Sequence, residues 1–228
     1  MNITKHAEFF NPATVKENIH IIGCGAVGST LAFTLAKLGI TNFVLYDEDV
    51  VESKNIANQM FRAADIGSPK TEAVKKMICE MNPDAERDIK IEGFYTNQKL
   101  DGYVFIAVDN IEIRKSIVQG NKFNLNIKAM FDFRMRLEDA QHYAADWSSI
   151  EMKDDLFETM DFTHEEEVAS TPRSACHEVL SIFYTIMGIV SCGVENFVHF
   201  CKNPDDLQKM MIYDTKFHCI DSFPRTDI

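Results

Sequence analysis

The chain has 228 residues, 46% of them hydrophobic and 25% charged, which is ordinary for a soluble globular protein. A single unit of this length buries roughly 70% of its unfolded surface. A formal net charge of −12 excludes a broad basic face and with it a non-specific nucleic-acid binder. A phosphate ligand stays open, because its pocket needs only local positive charge and backbone N–H groups. The cysteines form no C-x-x-C pair, so neither a zinc ribbon nor a disulfide framework is expected. Residues 1–18 lack an apolar run suited to a secretory signal. The uncharged stretch Val179–Val194 falls short of the ~20 residues of a membrane span and reads as part of a core helix. The expected location is cytoplasmic.

The first pattern is strand, glycine loop, helix. Ile19–Ile22 is a short β-type run, followed by Gly23-Cys24-Gly25-Ala26-Val27-Gly28. Ser29 to Leu38 then carries apolar residues at helical spacing and stops at Gly39. Asn42–Tyr46 reads as a second buried strand, ending in Asp47. Ser68 as N-cap and Pro69 at the first helical position open another helix, which Asn82-Pro83 ends. Strands are expected at Ile89–Glu92 and Tyr103–Val108, the latter ending at Asp109-Asn110 before a helix over Ile111–Val118. Such alternation predicts an α/β fold: a Rossmann-like, mostly parallel sheet with helices on both faces.

After Gly120 the texture changes. Ile127–Met135 and Ala140–Trp147 read as longer strands joined near Glu138-Asp139, extending the sheet with antiparallel strands. Residues 148–170 are acidic and weakly patterned, so a mobile crossing loop is expected there. A long helix from Ser174 to Cys201 and a small hairpin over Lys209–Asp221 complete the chain. We expect one domain over 1–228, with a nucleotide-binding half (19–120) and a substrate and dimerisation half (121–228).

The glycine spacing has a mechanical meaning. Gly23 permits the tight turn, Gly25 lets a phosphate approach the backbone, and Gly28 lets the helix pack on the strand. Asp47 lies where an acidic residue commonly binds ribose hydroxyls. A dehydrogenase would carry the same fingerprint, so the next segment decides which nucleotide is bound. It runs Asp47-Glu48-Asp49, then Asn55-Ile56-Ala57-Asn58-Gln59, then Asp65-Ile66-Gly67-Ser68-Pro69-Lys70, Asn82-Pro83, and Asp109 with Arg114.

This ordered set resembles the ThiF/MoeB/HesA family, which includes the adenylation domains of ubiquitin-activating enzymes. The resemblance runs from Ile19 to about Arg114. It implies an ATP-dependent adenylyltransferase that activates a carboxylate through an acyl-adenylate. It further implies that Asp47 holds the ribose, while Asn55 and Gln59 line the phosphate site with Asn58 among the cofactor-binding residues; Asp49 is read as cofactor-binding or as only a turn residue. Lys70 would neutralise charge at the α-phosphate, and Asp109 would hold Mg²⁺, a hard cation suited to carboxylate and phosphate oxygens. Asp109 could equally cap the helix at Ile111, and Lys70 or Arg114 could be solvated surface charges. The implied partner is a peptide or small ubiquitin-like protein with a free C-terminal carboxylate, and a homodimer is the family's habit.

One departure concerns charge. The family's phosphate-contacting arginine aligns with Asn58, which cannot supply a guanidinium. Arg62 is near enough in sequence to take its place. A degenerate nucleotide-binding module that recruits a partner without catalysis is the alternative this departure leaves open. In the second half, Phe131–Met135 with His142-Tyr143, and Ser174-Ala175-Cys176 before Ile182–Thr185, are similar to short stand-alone ThiF-like proteins of phages and plasmids. Cys176 is read as a thiolate near a helix start or as a packing thiol. Asp132 and Arg134 are read as a pair that shapes the substrate channel or, equally, as a structural ion pair.

Overall fold

The computed structural model describes residues 1–170 and 180–224. Its first unit is β1 (Ile19–Ile22), α1 (Ala26–Lys37) and β2 (Phe43–Tyr46), followed by α2 (Lys70–Met81) and β3 (Lys90–Glu92). The chain then crosses to β4 (Gly102–Ile106), α3 (Ile111–Gly120) and β5 (Ile127–Met135). The sheet order is β3-β2-β1-β4-β5, all parallel. The order reverses between β1 and β4, so a crevice opens beyond their carboxyl ends, where doubly wound sheets bind ligands. Every residue of β1, β2 and β4 is buried, as strands covered on both faces must be.

Beyond β5 the sheet turns antiparallel. β6 (Asp139–Asp146) pairs with β5, and the hairpin β7 (Gln208–Asp214) and β8 (Cys219–Pro224) completes an eight-stranded sheet. One face carries α1, α2 and the 20-residue α6 (Phe183–Lys202), which lies over β5, β6 and β7. The other face carries α3, α4 (Ile150–Glu158) and α5 (His164–Ser170). Phe105, Phe131 and Phe197 form the aromatic centre, with Phe105 and Phe131 stacked at 4.8 Å between centroids and Phe197 edge-on to both. Among the described residues, no helix is long and apolar enough to cross a membrane.

Three expectations need correction. The segment 148–170 is not a loop throughout: it holds α4 and α5. Ser149 caps α4 by accepting the Met152 N–H, and Met152 and Leu156, one turn apart, are buried. The long helix starts at Phe183 rather than Ser174, because Ile182 is extended (φ −118, ψ 131). Ser68 and Pro69 do not open α2 as N-cap and first helical residue. Backbone pairing of residues 49–51 with 67–70 holds that segment extended, so Pro69 is the cap and Lys70 the first helical residue.

The fit of α6 on the sheet is tight at Gly193. A Cβ there would stand 2.2 Å from the buried Phe133 ring. Helix propensity alone favours alanine by about 1 kcal/mol. Overpacking opposes it by roughly 1–3 kcal/mol. We therefore expect Gly193→Ala to lower the urea midpoint at an unchanged m-value; a raised midpoint would show that Phe133 can yield.

Candidate functional site

The crevice is a cleft of about 1240 Å³ at the carboxyl ends of β1, β2 and β4, extending over the β5–β6 hairpin. Its floor is the glycine loop. Gly23 has φ +96, and a Cβ there would lie 2.7 Å from the Ala107 carbonyl oxygen. At Gly28 a Cβ would lie 1.8 Å from the Gly23 carbonyl oxygen, so only hydrogen fits between α1 and β1. At Gly25 a Cβ would meet nothing within 4 Å, which leaves the start of α1 open to the cleft. Gly23 and Gly28 thus have the structural roles their spacing implied, and Gly25 leaves open space beside the start of α1.

Asp47 fastens this loop to β2. Its carboxylate accepts the Cys24 N–H at 2.7 Å and the Asp49 N–H at 2.8 Å. A carboxylate has about four lone-pair sites, so acceptor capacity for hydroxyl groups is left. Cys24 lies buried beneath, and burial pushes its thiol well above the ordinary range. Lys70 is also buried, its side chain 10% exposed, and its Nζ lies 2.7 Å from the open Asp49 carboxylate. The backbone pairing described above carries Lys70 inward, so it is not a solvated surface lysine.

Asn55, Asn58 and Gln59 come from a 3-10 turn over Ser53–Ala57 and its exit. Asn55 is spent partly on that turn, accepting the Glu52 N–H at 2.8 Å. Asn58 donates to the Ser181 hydroxyl. The Asn58 Oδ1 and Gln59 Oε1 atoms are buried with no hydrogen-bond partner among the described residues, and both residues line the cleft. Buried polar atoms are nearly always paired, so these two oxygens call for a partner beyond the described residues. Rotating either amide by a half-turn presents an NH₂ donor there instead.

Asp109 is exposed at the mouth of the cleft, just past β4. Capping of α3 falls to its neighbour: Asn110 accepts the N–H groups of Glu112 (2.8 Å) and Ile113 (3.3 Å). Asp109 is thereby left for another task. Among the described residues no three His, Cys, Asp or Glu side chains gather to hold a metal by themselves. Such a site suits Mg²⁺ carried by phosphates, which needs one or two protein carboxylates.

Arg62 does not reach the place of the missing arginine. It sits outside the cleft lining, with its guanidinium held by Asp65 at 3.2 Å and by Glu80. Burial pushes Asp65 up, but hydrogen bonds from Arg62 and Lys76 more than reverse this, holding its carboxyl well below the usual range. Cys176 lies outside the described residues, and the helix start once expected there stands at Phe183.

The expected Asp132–Arg134 pair is present, and the sequence reading missed Arg114 as the second partner of Asp132. Alternation along β5 puts Asp132 and Arg134 on one face, with Phe131 and Phe133 on the other, and Arg136, just past the strand, also lines the cleft. Asp132 is fully buried between two guanidiniums: Arg114 Nη1 donates to one carboxylate oxygen and Arg134 Nε to the other, the latter at 2.7 Å. Arg134 also donates to the Thr159 carbonyl and hydroxyl oxygens, each at 2.7 Å, and lies 4.3 Å from the Tyr143 ring centroid. Arg114, which the sequence left as a possible surface charge, is 5% exposed.

The sequence model of the ThiF family matches residues 13–125. This half of the chain belongs to the ThiF family. A ThiF relative, ubiquitin-like modifier-activating enzyme 5 of Arabidopsis thaliana, is 38% identical over 80 residues, 35% of this chain and 18% of that protein. The tRNA threonylcarbamoyladenosine dehydratase of Bacillus subtilis is 30% identical over 94 residues, 41% of this chain and 37% of that protein. The chain thus matches less than two fifths of either relative's length. Among solved ThiF-like folds, E. coli MccB with ATP superposes at a TM-score of 0.64 and 17% identity, covering 95% of this chain and 67% of that one. MccB with N-formylated MccA gives a TM-score of 0.66 at 16% identity, over 95% and 68% of the two chains. These superpositions establish the fold.

A buried histidine makes this half pH-sensitive. His142 is fully buried against Phe133 and Phe131, and burial lowers its pKa to about 4 against the opposing pull of Asp132. Between pH 6.5 and 4 the unfolded chain binds this proton and the native one does not, so stability falls as pH falls through that window. The loss attributable to His142 is on the order of 3 kcal/mol. His142→Gln should flatten the pH dependence of the denaturation midpoint there. An unchanged slope would mean that His142 does not carry this term.

Proposed function

We propose that the chain binds ATP with Mg²⁺ in this cleft and adenylates a carboxylate, the C-terminus of a peptide or small ubiquitin-like protein. The carrying observation is the convergence, at one sheet switch point, of an open Gly25 cradle, a buried Lys70 and an Asp109 released from capping. Two buried amide oxygens in the same cleft, without a partner among the described residues, fit a ligand rather than a solvated groove. The names of the relatives support the same reading: one activates a ubiquitin-like modifier, and MccB has been solved with ATP and with MccA.

Each residue then has a physical task. The start of α1 offers N–H groups and its dipole to the phosphates. Asp47 accepts from the ribose hydroxyls. Lys70, released from Asp49, holds the negative charge that grows on the α-phosphate as a carboxylate oxygen attacks phosphorus and the bond to pyrophosphate breaks. Asn55, Asn58 and Gln59 donate to phosphate oxygens. Asp109 would hold Mg²⁺, which supplies charge neutralisation for the pyrophosphate leaving group. Arg134 and Arg136 line the opposite half, where the acceptor carboxylate approaches. Cys176 remains the candidate thiol for accepting an activated acyl group. A homodimer and a cytoplasmic location belong to the same proposal.

A second reading rests on a specific observation. Asn58 stands where the family has an arginine, and Arg62 is held by Asp65 and Glu80, so the phosphate site is short of one cation. In that reading the chain holds ATP and recruits a partner without turnover.

Pyrophosphate exchange into ATP, measured with candidate acceptors ending in a free carboxylate, separates the two. We expect exchange in the wild type, none in Asp109→Ala, and a loss of roughly 100-fold in Lys70→Ala. Thermal stabilisation by ATP and Mg²⁺ without exchange for any acceptor would favour the binding module. Asn58→Arg offers an independent check: if missing charge limits the site, ATP affinity should rise. No gain would mean that the other cations already suffice.

A further inference from the structure

Arg114 is an arginine buried on α3, one helical turn after Asn110, and its bonds point away from solvent. Its Nη2 donates to the carbonyl oxygen of Val108, the residue immediately before Asp109. Its Nη1 donates to Asp132, which Arg134 holds from the other side. Asp132 in turn is fixed by its place in the β5 ladder, paired in register with Ile106 of β4 and Tyr143 of β6. The peptide that carries Asp109 is therefore gripped on both flanks. Upstream, the Ala107 N–H bonds Ile22 at 2.8 Å and Arg114 takes the Val108 carbonyl. Downstream, the Asn110 side chain is locked into the cap of α3. The Asp109 side chain itself lies exposed at the mouth of the cleft.

We propose that Arg114, anchored by Asp132, is a positioning residue that orients the Asp109 carboxylate toward Mg²⁺ on the nucleotide. This inference rests on the ATP and Mg²⁺ reading given above. A surface arginine on α3 would be solvated, and a purely structural one would have no need to bond the peptide next to an exposed carboxylate. Groups that orient a metal-binding carboxylate typically change metal affinity 10–100-fold when removed, although they never touch the metal. The guanidinium also matters by shape. It spans two acceptors, Val108 and Asp132, and a lysine ammonium at the same site reaches one direction poorly as it reaches the other.

The test needs no acceptor. Thermal denaturation of the full chain at saturating ATP is followed as Mg²⁺ is titrated, with Mg²⁺ alone and ATP in EDTA as controls. In Arg114→Gln we expect the Mg²⁺ concentration for half-maximal stabilisation to rise roughly tenfold or more, while the shift given by ATP in EDTA stays as in the wild type. Arg114→Lys should recover only part of this. Because Arg114→Gln leaves a buried cluster incomplete, Asp132→Asn serves as the second variant. It preserves shape while loosening the anchor, and its Mg²⁺ midpoint should move in the same direction. Folded variants whose Mg²⁺ midpoint stays within about twofold of the wild type would overturn the positioning role. A change in the EDTA shift as large as the Mg²⁺ effect would do so too, by revealing general damage to the cleft. A wild type stabilised by ATP with no Mg²⁺ dependence would instead sink the adenylating reading, and this inference with it.

Discussion

The cleft depends on how closely the first helix approaches the first strand. With hydrogen at Gly28, the Gly23 carbonyl can sit where any side chain would collide. That contact fixes the start of α1 over the end of β1, and the rest of the glycine loop follows from it. Gly23 must adopt a positive φ to turn beside Ala107 of the neighbouring strand end. The loop is then fastened to β2 by the Gly23 N–H on the Tyr46 carbonyl and the Cys24 N–H on Asp47. Gly25 is left facing open space, with the unpaired N–H groups of a helix start around it. A side chain on Gly25 would cost the fold little and the ligand much, whereas one on Gly28 would cost the fold directly.

A second constraint is electrostatic. Asp132 has no solvent exposure, and a buried carboxylate is expensive unless it is paired and hydrogen-bonded. Two guanidiniums satisfy it, and their combined charge exceeds its own. The surplus lies beside a cleft lined also by the buried Lys70, the exposed Arg136 and the carboxylates of Asp47, Glu48, Asp49 and Asp109, in a chain whose net charge is −12. Long-range repulsion of an anionic nucleotide by such a chain is screened over roughly 8–10 Å in salt, whereas charges inside the cleft act at contact.

The nucleotide half was legible in the sequence because its signals are local. Glycine spacing, acids at the ends of β2 and β4, and strand–helix alternation all act within a few residues, and the observed strands lie within one or two residues of the expected ones. The second half was not legible in the same way. The acidic run at 151–158 hid a single buried stripe, Met152 and Leu156, although Ser149 was a readable cap. The start of α6 was misplaced because apolar residues before Phe183 continue its composition without its backbone geometry. Arg62 misled by proximity: its short 3-10 turn aims the guanidinium at Asp65, and closeness in sequence says nothing about direction. The Arg114–Asp132 pair spans 18 residues and two element types, so no periodicity announces it. The alternation of Asp132 and Arg134 against Phe131 and Phe133 did announce a two-faced strand.

That two-faced strand ties the core to the cleft. The β5–β6 hairpin turns Phe131, Phe133 and His142 toward α6, and Asp132, Arg134 and Tyr143 toward α3 and α4. Side chains alternate with a period of two, so a slip of one residue would bring the charged set under α6 and the aromatic set into the cleft. The register is fixed from the core side, where Gly193 of α6 admits the Phe133 ring and Asn196 lies 3.1 Å from the His142 Nε2 atom. The apolar packing thus decides which carboxylate lies beneath Arg114, and Arg114 decides how the peptide before Asp109 is held. A glycine in the last long helix therefore bears on the geometry of a carboxylate on the far face of the sheet, through one strand whose two faces cannot move independently.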